Sequence, residues 1–137
     1  MAIQVVGVPS IGVEKIWPQV EPLIAPSLKW ANGCFLPVDL RDACMDTRMQ
    51  LWIVLDAASR EIIAAVVTRI SVYPRRKALS VPFGGGRRMR EWLPLLNETI
   101  EGFARHMGCS FMEGGARTGW VRAAGYRNIG AMLIKEL

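Results

Sequence analysis

Apolar residues follow two periods along this chain, and the switches between them mark its elements. Ile3-Gln4-Val5-Val6-Gly7-Val8 reads as a short buried strand, closed by Pro9-Ser10. From about Val13 the spacing becomes helical through Ile16, Trp17, Val20, Leu23 and Ile24, with Pro18 and Pro22 predicting a late start or a kink. A second short helix is predicted over 37–47, where Pro37 suits a first-turn position and Val38, Leu40, Cys44 and Met45 give an apolar face.

The β-branched runs Leu51 to Leu55 and Ile62 to Tyr73 read as strands joined by a turn at Asp56-Ala57-Ala58-Ser59-Arg60. Pro74-Arg75-Arg76 then reverses the chain into Lys77 to Phe83, completing an antiparallel meander. Gly84-Gly85-Gly86 reads as a turn into a long helix ending near Met107, with Trp92, Leu96, Ile100, Phe103 and Met107 on one face. That reading puts Pro94 in the first turn. A short strand over 110–113, a short helix over 119–124 and a last strand over 131–136 follow. Six strands and four helices in 137 residues make one α+β domain spanning 1–137.

With 51% hydrophobic and 21% charged residues, the chain can build a packed core. Its net charge of +5 favours an acidic partner, and the excess gathers at Arg75-Arg76-Lys77 and Arg87-Arg88-Arg90. Nucleic acid has only this charge in its favour, because no zinc finger, basic zipper or aromatic RNA-binding pattern accompanies it. Cys34, Cys44 and Cys109 are odd in number and widely spaced, and His106 is the single histidine, a pattern that argues against a metal site. Unpaired cysteines read as buried thiols of a reducing compartment, and no signal peptide or membrane-length apolar run is visible. The expected location is the cytoplasm.

The richest local chemistry is Gly84-Gly85-Gly86-Arg87-Arg88. Glycines that turn their N–H groups inward, a helix N-terminus and two guanidiniums make a phosphate cradle. A tight strand-to-helix turn with two solvated arginines uses the same residues. Glu113 is a candidate base for an attacking amine, or an edge carboxylate paired with Arg117. His106 reads as helix surface and Cys109 as a small buried hydrophobe. No catalytic constellation stands out. Of Trp17, Trp30, Trp52, Trp92 and Trp120, Trp30 and Trp120 are the candidates for a surface contact with another protein or a second copy.

The element order resembles that of the GNAT superfamily of acyltransferases, and three segments add to the resemblance. Leu79-Ser80-Val81-Pro82 entering the Gly/Arg run is similar to that family's fourth strand and pyrophosphate loop. Phe103-Ala104-Arg105-His106-Met107-Gly108-Cys109 resembles the helix end before the fifth strand. Gly119-Trp120-Val121-Arg122-Ala123-Ala124-Gly125-Tyr126 resembles the short helix closing in a Gly-aromatic pair. The Gly-Gly-Gly-Arg and Gly-Ala-Arg-Thr-Gly-Trp segments are similar in particular to small GNAT-like proteins of tailed phages and prophages.

The resemblance implies a three-layer α/β/α fold with a mixed central sheet of about six strands and about four helices. It implies acetyl-CoA or another acyl-CoA as co-substrate, with Val81 and Phe83 beside the pantetheine and Gly84, Gly85, Gly86, Arg87 and Arg88 at the pyrophosphate. The activity implied is acyl transfer from the CoA thioester to an amine. Two departures stand out. The small-residue positions of the family loop fall on Arg87 and Met89, and the position of the family's acidic tyrosine holds Arg122, leaving Tyr126 at the packing position of the Gly-aromatic pair. A scaffold that lost its chemistry would serve instead as an interaction or assembly protein, such as a virion or head-tail component.

Overall fold

The computed structural model describes residues 3–114 and 125–137. Strand β1 (Ile3–Val8) leads into helix α1 (Ser10–Ile24), a 3₁₀ turn over Ala25–Trp30 and helix α2 (Pro37–Met45). The meander β2 (Gln50–Asp56), β3 (Ile62–Val72) and β4 (Lys77–Gly86) follows, then helix α3 (Met89–His106) and β5 (Phe111–Glu113). The sheet order is β1-β2-β3-β4-β5, antiparallel throughout except for the parallel β4–β5 pair.

Strand alternation supplies both faces of the sheet with apolar side chains, so both are covered. Leu51, Ile53, Ala65, Val67 and Phe83 pack under α1 and α2 against Val13, Trp17, Val20, Ile24 and Leu40. Trp52, Val54, Ala64, Val66 and Leu79 pack on the other face against Trp92, Leu93, Leu96 and Ile100 of α3. This is the expected three-layer α/β/α arrangement. On the α3 face a polar chain links β2 to β3: the Trp52 indole N–H donates to the buried Thr68 hydroxyl at 2.9 Å, which donates to Gln50 Oε1 at 2.8 Å.

Several elements differ from the reading of the sequence. Helix α1 starts at Ser10 and contains both Pro18 and Pro22. Both prolines are exposed, so the Glu14 and Pro18 carbonyls they leave unpaired within the helix face solvent. Pro94 likewise lies inside α3, on its exposed side, instead of in the first turn. Strand β4 does not stop at Phe83. It carries Gly84, Gly85 and Gly86 in register opposite Val66, Ala65 and Ala64 of β3.

The sheet has five strands among the described residues instead of six, because 131–136 forms no strand: its residues have no ladder partner and lie exposed. The predicted helix over 119–124 lies outside the described residues, as do Arg117, Trp120 and Arg122. Of the cysteines, Cys44 and Cys109 are buried but Cys34 is exposed. No described helix is long and apolar enough to cross a membrane.

Candidate functional site

The site begins with an irregularity in β4. Ser80 faces Arg69 and Phe83 faces Val67, so three steps along β4 match two along β3, and the extra residue lies at Val81–Pro82. Pro82, which lacks an N–H, is tolerated where the ladder is already broken. The Ser80 hydroxyl donates to the Arg69 carbonyl at 3.2 Å beside the bulge. Strand β5 pairs with β4 only from Ala78 to Ser80 and ends at Glu113, while β4 runs on to Gly86. Past the bulge, β4 therefore has an open edge among the described residues.

A cleft of about 700 Å³ occupies that opening. Its floor is Val66 and the β4 segment from Val81 to Gly86. Pro22, Leu23, Pro26, Ser27 and Trp30 wall one side, Arg87, Met89 and Trp92 another, and Glu113, Gly114 and Tyr126 complete it. All seven β4 and loop residues expected at a cofactor, Val81, Phe83, Gly84, Gly85, Gly86, Arg87 and Arg88, lie in this region, and all but Arg88 line the cleft. The Arg87 N–H donates to the Ile63 carbonyl at 2.8 Å. Since backbone groups alternate sides along an antiparallel ladder, Gly84 and Gly86 direct their N–H and C=O groups away from β3, towards the open edge.

The glycines answer to close packing. A Cβ on Gly85 would stand 2.5 Å from the Leu23 carbonyl oxygen, and one on Gly86 would stand 2.3 Å from the Ile63 carbonyl oxygen. Gly86 also has φ +147°, and Arg88, at φ 63°, takes the left-handed conformation just before α3. The turn into the helix is thus built at Arg88, two residues beyond the last glycine. The Trp92 indole N–H fastens it by donating to the Arg87 carbonyl at 2.6 Å.

Both arginines of the run are held by acids. Arg87 pairs with Glu61, and Arg88 pairs with Glu91 and, at 2.7 Å, with Asp56. The Glu91 and Asp56 hydrogen bonds hold the Arg88 guanidinium above its already high ordinary pKa, and the Arg88 bond holds Asp56 below the usual carboxylate range. Asp56 and Glu61 flank the β2–β3 turn, which their bonds to Arg88 and Arg87 tie to the α3 N-terminus, and Glu91 lies in the first turn of α3 itself.

Glu113 is not left bare at the cleft: the Tyr73 hydroxyl donates to its Oε1, and that bond raises the Tyr73 pKa. Tyr126 is half-buried and lines the cleft, and burial, with Glu101 nearby, raises its phenol pKa. His106 is exposed on α3, and Cys109 is buried. Trp30 is 68% exposed at the cleft wall. The α1 end and the 3₁₀ turn, which supply that wall, were not legible as site residues, although Pro22 and Pro26 mark where the chain bends over the sheet. Among the described residues, no group of His, Cys, Asp and Glu is placed to hold a metal ion.

Neither a protein-family profile nor a curated protein matches the sequence. Solved structures do match its shape. A probable acetyltransferase superposes with a TM-score of 0.71 at 9% identity, over 98% of this chain and 96% of that one. The fold is that of the GNAT acetyltransferases. A GNAT family acetyltransferase from Staphylococcus aureus matches over 100% of both chains, with a TM-score of 0.67 at 14% identity. An aminoglycoside acetyltransferase from an uncultured soil metagenomic sample, in complex with sisomicin, has a TM-score of 0.71 at 10% identity, over 99% of this chain and 97% of that one. Glucosamine-6-phosphate N-acetyltransferase from Arabidopsis thaliana has a TM-score of 0.65 at 13% identity, over 99% of each chain. At these identities the likeness describes the GNAT fold and its mixed sheet.

Proposed function

We propose that this GNAT-fold chain is an acyl-CoA-dependent N-acyltransferase whose co-substrate lies along the open edge of β4. The observation that carries this reading is the β4 edge past the bulge at Val81–Pro82, which no described strand pairs and which floors a cleft of about 700 Å³. An extended amide-bearing arm adds to such an edge as a further strand would. Acyl-CoA supplies an acyl group activated as a thioester. Val81 and Phe83 meet the apolar part of the arm, and the Gly84 and Gly86 N–H groups with the α3 N-terminus receive its phosphates.

In this reading the amine nitrogen bonds to the thioester carbonyl carbon, the carbon–sulfur bond breaks, and an amide and a thiol result. Glu113 takes the amine proton, and Tyr126, protonated at neutral pH as any phenol is, gives one to the departing sulfur. Positioning of the two substrates in one cleft supplies much of the remaining rate.

Titration calorimetry with acetyl-CoA and CoA tests the reading, with the Glu61→Gln variant beside the unmodified chain. Saturable binding in the micromolar range is expected. Freed from Glu61, Arg87 becomes available to the phosphates, and the variant should bind several-fold tighter. Absence of heat from the folded protein overturns the proposal. A second reading, a GNAT scaffold kept as a non-catalytic interaction or virion component, is favoured by the acid-bound state of Arg87 and Arg88 and by the exposed Trp30. Binding without turnover against any amine would support it.

A further inference from the structure

An amine that gives its proton to Glu113 has to stand beside that carboxylate, and the surroundings of Glu113 restrict what the amine is. Met112 packs into the α3 layer, so alternation turns Glu113 to the opposite side of the sheet. Phe83 packs on that side, and so does Leu28 of the 3₁₀ turn that carries Trp30. With Pro22 and Pro26 these residues give the cleft an apolar, aromatic wall. Among the described residues that line the cleft, Glu113 is the one carboxylate. Its Oε1 accepts from the Tyr73 hydroxyl, which leaves Oε2 for one ammonium.

The ground beside this carboxylate is basic. Arg69 stands opposite Ser80 and Ser80 opposite Glu113, so the three form one row on one face of the sheet. The Arg76 guanidinium lies 4.0 Å from the centre of the Phe111 ring, two residues before Glu113, and Lys29 Nζ lies 5.0 Å from the centre of the Trp30 ring. We infer that the acceptor is a small primary amine with a single positive charge on an aromatic or apolar body, and that polycationic amines are turned away. This inference rests on the acyltransferase reading. The further ammonium groups of a polycation would find no second acid in the lining and would meet Lys29, Arg69 and Arg76, a repulsion that selects against them. Trp30, 68% exposed, offers a ring against which a flat body can stack. A cleft of about 700 Å³ that also receives the arm of acyl-CoA leaves space for a compact body only.

Steady-state thiol release from acetyl-CoA with 2-phenylethylamine, spermidine and kanamycin as acceptors tests this on the full chain, beside calorimetry with acetyl-CoA alone. The kcat/KM for 2-phenylethylamine should exceed the other two by about tenfold or more. Trp30→Ala alters an exposed side chain, and it should raise KM for 2-phenylethylamine about tenfold with little change in kcat. Lys29→Glu should raise kcat/KM for spermidine and leave the Trp30 dependence in place. Saturable acetyl-CoA binding with a preference for either polycation overturns the inference and leaves the acyltransferase reading standing, as does an unchanged KM in Trp30→Ala. Saturable acetyl-CoA binding without turnover of 2-phenylethylamine overturns it too. Absence of heat with acetyl-CoA removes the acyltransferase reading itself, and the acceptor with it.

Discussion

Gly85 lies so close beneath Leu23 that the missing Cβ would stand 2.5 Å from the Leu23 carbonyl oxygen. The end of α1 sits on β4 at this point and walls the cleft there. Gly85→Ala must push helix and strand apart, at a cost of about 1–3 kcal/mol by analogy with overpacked cores. Denaturant unfolding should register that loss. An unchanged midpoint would mean that α1 has no fixed seat on β4.

Asp56 and Glu91 both titrate below the usual carboxylate range because each bonds Arg88. A carboxyl whose folded pKa is depressed adds stability above its unfolded pKa and loses it as the pH falls through the folded value. Thermal stability should therefore drop below about pH 4, and Asp56→Asn should flatten that drop. The effect should shrink at high salt, since the groups are solvent-accessible. Melting curves at several acidic pH values with and without salt check this, and parallel curves for the two proteins would contradict it.

Tyr126→Phe removes the phenol at the cleft while keeping the ring that packs there. If the phenol protonates the leaving sulfur, kcat should fall about 100-fold with little change in CoA affinity. Calorimetry beside a thiol-release assay separates the two effects. Equal turnover in the variant would leave Tyr126 a packing residue only.

One thiol per chain should react promptly with an aromatic disulfide reagent. Cys34 is exposed, whereas Cys109 is covered and Cys44 is buried enough that its pKa rises to about 12. The other two should respond only on unfolding. Prompt reaction of all three would show that the core opens readily on both faces of the sheet, at Cys44 under α2 and at Cys109 in the α3 layer.

The periodicity of the chain gives β1 to within a residue and locates α2, the meander and α3, because each has one or two well-patterned apolar faces. Gly84–Gly86 escapes this reading. Glycine is rare in strand interiors, and the reason for it here is the approach of the Leu23 carbonyl and the β3 backbone, contacts remote in sequence. Pro18 and Pro22 weigh against a helix locally, yet both fall on the face that water reaches. The Tyr73–Glu113 bond joins residues 40 positions apart, and the capture of Arg87 by Glu61 depends on β4 running three residues further than its pattern suggests. At 131–136 the pattern predicts a strand that the structure does not form, because a β-pattern needs a neighbouring edge and those residues have no ladder partner.

The extra residue at Val81–Pro82 also works as a parity switch. Leu79 and Val81 serve the α3 layer, while Phe83, four positions after Leu79, serves the α1 layer, although on an unbroken strand residues that far apart share a face. Removing one residue there would turn Phe83 towards α3 and rotate the bare side of Gly85 away from Leu23. A one-codon deletion or insertion in this short stretch would therefore exchange inside for outside along the rest of β4. The count of residues between Ser80 and Phe83 is thus under tighter constraint than the identity of most of them.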